Sequence, residues 1–228
     1  MTQFVLVHGS GQNASSWDLV RPLLVDAGHD VVTIELPKNE PEATGSDFAW
    51  RIAAQTGIGA VVVAHSASGM YLPIVAALRP VRALVYFAAV IPQPGVSLVE
   101  QFTRDSSMLA ADWVAAGRQW FERTEWRDLA DHYLFHDMPV AEREFAHTTV
   151  QPMRTDGAVR EPSPIDTPVP VPSICVIATQ DRTVVPSWQE RVWRERAPGQ
   201  PIVYIDAGHC PHVSRPRESA EAILKALQ

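Results

Sequence analysis

The sequence predicts an α/β protein: a doubly wound, mostly parallel six-stranded sheet with a helical cap inserted into it. Three observations carry that expectation. Short β-branched apolar runs recur along the chain and alternate with amphipathic stretches. The runs are apolar throughout rather than alternating, as strands covered on both faces of a parallel sheet must be. One interval, residues 89–172, is too long for a single crossover connection.

The strands are expected at FVLVH (4–8), VVTIE (31–35), VVVAH (61–65), ALVYFA (83–88), ICVIAT (174–179) and IVYID (202–206). Helices are expected at 17–28, 48–57, 67–78, 187–197 and 216–227, with Gly28 and Gly57 at C-cap positions. The long interval opens with IPQPG (91–95) and closes with the proline-rich EPSPIDTPVPVP (161–172), an extended strap leading back to the sheet. Between them, 112–126 and 141–150 have helical, aromatic character. The expected division is a core of residues 1–91 and 166–228 with a helical cap at 92–165.

Composition narrows the partners. The formal net charge is −7 and basic residues form no cluster, which argues against nucleic acid and anionic membranes. No apolar run is long enough to span a bilayer. MTQFVLVHG reads as a strand rather than a signal peptide, and Cys175 and Cys210 form no C-x-x-C pair, so a reduced, cytoplasmic protein is expected. The eight histidines have no metal-ligand spacing, and neither metal nor cofactor is implied. A monomer or homodimer acting on a small molecule fits these limits.

The stretch VVVAHSASGM (61–70) carries the chemistry. A strand that passes straight into a helix holds its turn residue at the C-terminal edge of the sheet, side chain outward, and needs small residues two before and two after it. Centred on Ser66, the flanks are Ala64 and Ser68; centred on Ser68, one flank is the bulky Met70. Ser66 is the residue at the turn. By itself the turn is equally a plain strand–helix junction with Ser66 as an N-cap.

A nucleophilic hydroxyl needs a base and the base an orienting acid. ATQDRTVVP places Asp181 after the fifth strand, and IDAGHCPH places His209 after the sixth. Asp206 reads as the strand's end, and His212 is an alternative base; Gly208 favours His209 by supplying a turn. His65 is expected to pack at the buried strand end. The order Ser66, Asp181, His209 lets one sheet edge gather all three. Oxyanion donors are assigned to the backbone N–H groups of Ser10, in the loop VHGSGQNASSW, and of Ala67.

With these motifs the chain resembles the α/β-hydrolase superfamily over nearly its whole length, and most closely its branch of small esterases, plant methyl esterases and hydroxynitrile lyases. The resemblance rests on residues 7–37, VVVAHSASG, ATQDRTVVP and AGHCPHVSRP, departing from the usual G-H-S-x-G-G at Ala64 and Ser68. It implies a carboxylesterase in which Ser66 attacks a carbonyl, His209 takes its proton, Asp181 holds the imidazole and water releases the acyl group. Alternatives on the same scaffold are a lyase and a ligand-binding receptor with slow turnover. Lyase relatives carry a hydroxyl-bearing residue and a lysine where this chain has Gly9 and Cys210, so cyanohydrin cleavage is not expected, and Gly9 is expected to leave space for an ester carbonyl. The cap is expected to wall an apolar pocket with Trp113, Trp120, Phe121, Phe135 and Met138.

Overall fold

The computed structural model describes residues 1–37, 39–120, 126–151, 156–167 and 169–228, with the backbone alone for 118–120. Strands β1 (Gln3–Val7), β2 (Asp30–Ile34), β3 (Val61–His65), β4 (Ala83–Phe87), β5 (Ser173–Ala178) and β6 (Ile202–Ile205) form one sheet in the order β2-β1-β3-β4-β5-β6. Every pairing is parallel. The chain runs outward from β1 to β2 and then returns to β1's other side with β3. That reversal opens a crevice at the C-terminal ends of β1 and β3, where ligands bind in sheets of this type.

Register brings the relevant loops together. Val7 is level with Ala64, and Ala64 with Tyr86, so the loops after β1, β3 and β4 leave the sheet side by side. Ala178 is level with Ile205, which does the same for the loops after β5 and β6. The unbroken apolar character of the strands has a direct cause. Val5, Val7, Val62, Ala64, Leu84 and Tyr86 pack into a core on one face, while Phe4, Leu6, Val61, Val63, Val85 and Phe87 pack into a second core on the other. With both faces buried, no position in the strand centre can be polar without a partner.

The covering helices of the core are α1 (Arg21–Asp26), α2 (Gly45–Ala54), α3 (Leu72–Leu78), α9 (Pro186–Arg196), α10 (Pro211–Ser214) and α11 (Pro216–Leu224). Between β4 and β5 the described residues contain α4 (Leu98–Arg104), α5 (Ala111–Trp120), α6 (Trp126–Tyr133), α7 (Arg143–Thr148) and α8 (Asp156–Arg160). These include a small core of their own, in which Phe135, Leu134, Tyr133 and Ala146 meet Cys210 and Val213 of the sheet domain. Isolated antiparallel bridges, Gln12 with Val150 and Leu109 with Val184, tie the segment to the sheet edge. No helix among the described residues is long and apolar enough to cross a membrane.

Three helix expectations need correction. The stretch expected as one helix over 17–28 splits into a 3-10 turn at Ala14–Trp17 and the shorter α1, which starts beside Pro22 because proline fits a first helical turn. The stretch 67–78 is a 3-10 helix at Ser66–Tyr71 followed by α3, again with a proline, Pro73, in the opening turn. Gly57 is not a C-cap, since α2 ends at Ala54 with Gln55 after it; Gly28, at φ +86°, has the left-handed conformation that a helix exit uses.

Candidate active site

Ser66 leaves β3 with φ +57°, a left-handed conformation unusual for a residue with a side chain. Such a turn costs on the order of 1–3 kcal/mol and persists where the surroundings enforce it. Here they do. The Ser66 carbonyl accepts the Val90 N–H at 3.0 Å, and Gly69 lies so close to the next strand's exit that a Cβ on it would stand 2.2 Å from the Val90 carbonyl oxygen. The obligatory glycine of this turn is therefore Gly69. Position 68 has room for a side chain, which is why the stricter glycine pattern can be relaxed there.

The turn lifts the Ser66 hydroxyl to the sheet edge, where His209 Nε2 lies 3.0 Å from Oγ. On the far side of the ring, His209 Nδ1 lies 2.8 Å from Asp181 Oδ2. Asp181 is held in turn: its Oδ1 accepts from the Thr183 N–H at 2.7 Å, the Thr183 hydroxyl at 3.0 Å and the Val184 N–H at 3.1 Å. That leaves Oδ2 for the imidazole and orients it. A carboxylate accepts only, so Nδ1 carries the proton and Nε2 presents a lone pair to the serine hydroxyl. Ser66, His209 and Asp181 thus form one hydrogen-bonded chain, with His209 and Asp181 both buried.

The rival residues are engaged elsewhere. Asp206 accepts from the Thr179 hydroxyl and the Gln180 side-chain amide. His212 is fully buried against Trp17 and His65, and its Nε2 donates to Gln12 Oε1 at 3.1 Å. His65 is buried as expected, but it does more than pack: its Nε2–H donates to the His209 carbonyl at 2.9 Å, tying the loop after β6 to the turn that carries Ser66. The reason for Gly208 also changes. Its backbone is not left-handed; a Cβ there would lie 2.8 Å from Asp137 Oδ1 and 3.1 Å from His136 Nε2. Gly208 lets the segment after α6 press on the base's loop, where the Ser214 hydroxyl donates to Asp137 and the His136 ring to the Gln180 carbonyl.

His65 and His212 are held well below the usual histidine range, chiefly by burial and secondarily by charge on neighbouring histidines, His212 and His209 for the first and His209 and His8 for the second. Both are neutral in the fold and ordinary histidines once unfolded, so the unfolded chain takes up more protons below its pKa of about 6.5. Stability is then full above that pH and is lost as pH falls toward the depressed folded values, at a limiting rate of about 2.7 kcal/mol per pH unit for the pair. Urea midpoints measured from pH 7.5 to 5 should fall accordingly, and His212→Asn should remove about half of the slope. A flat profile over that range would contradict two buried neutral histidines.

The loop after β1 runs past the turn. Ser10 and Ala67 both line the cavity above Ser66, and Ala67 stands in the first turn of a 3-10 helix, where an N–H has no partner within the helix. Gly9, which lines the cavity, has a second reason besides the one expected. A Cβ on it would lie 2.8 Å from both His65 Nδ1 and Ser66 Cβ, so it also permits close packing of loop on turn. The far side of the loop is pinned by Asn13 N–H to the Thr149 carbonyl and Gln151 N–H to the Gly11 carbonyl.

Above Ser66 lies a cavity of about 640 Å3, within the usual span of small-molecule sites. Of the residues expected to line it, Trp113 and Gly9 do. Phe135 and Met138 do not: both are buried in the small core under the segment, because their side of the chain faces Ala146 and Val213 rather than the cavity. The Trp120 side chain and the whole of Phe121 lie outside the described residues. Walls that were not anticipated include Leu98 and Phe102, Leu109, Leu134 and Val184. The signal for the first two was present in LVEQF, an apolar pair four apart on one face of α4. The buried Cys210 thiol also lines the cavity, pushed well above the usual thiol range by burial and then by Asp181 and Asp137.

A family model described as alpha/beta hydrolase family matches residues 4–222. The chain belongs to that family. A pyrethroid hydrolase of Sphingobium wenxiniae is 25% identical to it over 255 aligned positions, covering 98% of this chain and 86% of that protein. Among solved structures, an extracellular alpha/beta-hydrolase from a Paenibacillus species superposes with a TM-score of 0.81 at 18% identity over 99% of each chain. Polyneuridine aldehyde esterase superposes with a TM-score of 0.77 at 20% identity over the full length of both. These structural likenesses are in fold alone; the family match makes the chain an α/β-hydrolase, and the pyrethroid hydrolase it resembles is an enzyme of that kind.

Proposed function

We propose that the protein is a carboxylesterase acting on small to medium apolar esters through Ser66, His209 and Asp181. The observation that carries this reading is the 3.0 Å contact of Ser66 Oγ with His209 Nε2, backed by Asp181 at 2.8 Å, at the floor of an apolar cavity. In the first step Oγ attacks the ester carbonyl while Nε2 takes its proton. Asp181 holds the ring and offsets the charge of the imidazolium. The Ser10 and Ala67 N–H groups receive the developing oxyanion. The imidazolium then protonates the departing alcohol, leaving an acyl group on Ser66. Water, deprotonated by His209, attacks that acyl group; the bond to Oγ breaks, the imidazolium returns its proton to Oγ, and the acid departs. Residues 92–165 act as the cap that shapes the pocket, and the two unpaired thiols suit a cytoplasmic protein.

The walls give the expected selectivity. Trp113, Leu98, Phe102 and Val184 offer a charged acyl chain no paired partner, while an apolar one loses only its contact with water. On a panel of p-nitrophenyl esters, butyrate to octanoate should show kcat/KM at least about tenfold above the hemisuccinate. A preference for the charged ester would refute the reading. Cyanohydrin cleavage is not expected, because Gly9 is packed against the turn and Cys210 is a buried neutral thiol, so these two positions supply neither the hydroxyl nor the cation that cyanide release would use. Cyanide from mandelonitrile at a rate equal to ester hydrolysis would reverse that assignment.

A further inference from the structure

Ser68 occupies a position at which this type of turn commonly has glycine, and the acyl-transfer chemistry makes no use of its hydroxyl. Yet the side chain is placed with care. Ser68 is 1% exposed, and its Oγ donates to the His8 carbonyl at 2.6 Å. Ser68 directly follows Ala67, and His8 stands two residues before Ser10. One hydrogen bond therefore spans the two backbone segments that carry the oxyanion donors.

The rest of the β1 loop is braced around the same point. The His8 ring accepts the Leu36 N–H at Nε2, at 3.1 Å, so its proton lies on Nδ1, which donates to the Gly9 carbonyl at 2.8 Å. Gly9 itself presses on His65 and Ser66. Its carbonyl also accepts the Gln12 N–H at 3.1 Å. Leu36 thus holds the loop from outside through His8, and Gly9 sets how near it comes to the turn. Neither contact fixes the loop's position along the turn. The Ser68 hydroxyl does, because a directed bond of 2.6 Å tolerates little sliding.

We propose that Ser68 is a positioning residue of the oxyanion site, locking the Ser10 donor to the Ala67 donor so that both N–H groups converge on one point. This rests on the esterase reading above and on Ser10 and Ala67 as its donors. Stabilisation by fixed dipoles depends on their being aimed before charge develops, and a constellation loosened by about half an ångström loses much of its effect. Ser68 is not among the residues lining the cavity, and its hydroxyl bonds the His8 carbonyl rather than Ser66 or His209, so its loss should act on the transition state and leave ground-state binding and the base's titration alone.

The test uses Ser68→Ala and the near-isosteric Ser68→Cys, which keeps the packing and weakens the donor. Active sites are first counted with a fluorophosphonate, so that rates refer to folded enzyme. With p-nitrophenyl butyrate, both variants should show kcat lowered about 10- to 100-fold with KM within about twofold of wild type. The inhibition constant of a trifluoromethyl ketone, which forms a tetrahedral oxyanion on Ser66, should rise by a matching factor. The midpoint of the kcat–pH profile should stay where it is in the wild type. Ser68→Cys with kcat and ketone affinity both within twofold of wild type overturns the proposal, as does a loss confined to KM. A wild-type protein that neither turns over the ester nor binds the ketone overturns the esterase reading itself, and is seen before any variant is made.

Discussion

Ser66→Ala should lower kcat by roughly 10⁴- to 10⁶-fold, since the members of a nucleophile–base–acid set act as a unit and little of its effect survives loss of the nucleophile. The fold should persist. The left-handed turn is enforced by Val90 and by the close approach at Gly69, and alanine adds no atoms to it. Labelling the wild type with a fluorophosphonate and mapping the adduct by tandem mass spectrometry should place it on Ser66. The other serine of the turn, Ser68, is 1% exposed and already bonded to the His8 carbonyl, so it offers no free hydroxyl. An adduct on Ser68, or an active Ser66→Ala enzyme, would falsify the assignment.

His209→Ala should cost nearly as much, and Asp181→Asn somewhat less, because the asparagine keeps the shape beside Nδ1 but loses the charge that stabilises the imidazolium. The informative control is His212→Ala. His212 is fully buried between Trp17, His65 and Phe87, so its truncation leaves a void worth about 2–4 kcal/mol of stability. Its Nε2 is bonded to Gln12 rather than to Ser66, and kcat per titrated site should stay within a few-fold of wild type. Thermal melts separate the two effects: a lowered Tm with retained kcat is expected for His212→Ala, and an unchanged Tm with lost kcat for Asp181→Asn. A His212→Ala enzyme that melts normally but has lost its turnover would move the base three residues along the chain.

Much of the scaffold was legible because both faces of the sheet are buried. That requirement writes itself into the strands as unbroken apolar runs, and β3 could be bounded at Val61–His65 from VVVAH alone. Helix ends were less legible. Proline in an opening turn is compatible with either a continuing or a starting helix, and only packing decided that α1 and α3 are short. The segment between β4 and β5 was the hardest to read. An apolar residue there has the same local signature whether it walls a cavity or fills a core, which is why Phe135 and Met138 fill a core where a wall is expected and Leu98 and Phe102 wall the cavity.

The sequence by itself determined the order of the elements, the doubly wound sheet, and the chain order Ser66, Asp181, His209 at the ends of the third, fifth and sixth strands, because these follow from hydrophobic periodicity and from small-residue spacing at one turn. Tertiary structure alone decided where His212 binds instead, why Gly9, Gly69 and Gly208 are glycines, and that the Ser68 hydroxyl bridges to the β1 loop. The physical reason is one of range. Periodicity and turn chemistry act between neighbours in sequence, whereas hydrogen bonds from Ser66 to His209, from His65 to the His209 carbonyl and from Ser68 to His8 join residues 60 to 144 positions apart. Such bonds depend on distances of a few tenths of an ångström that are set only when the sheet's register and both cores are in place.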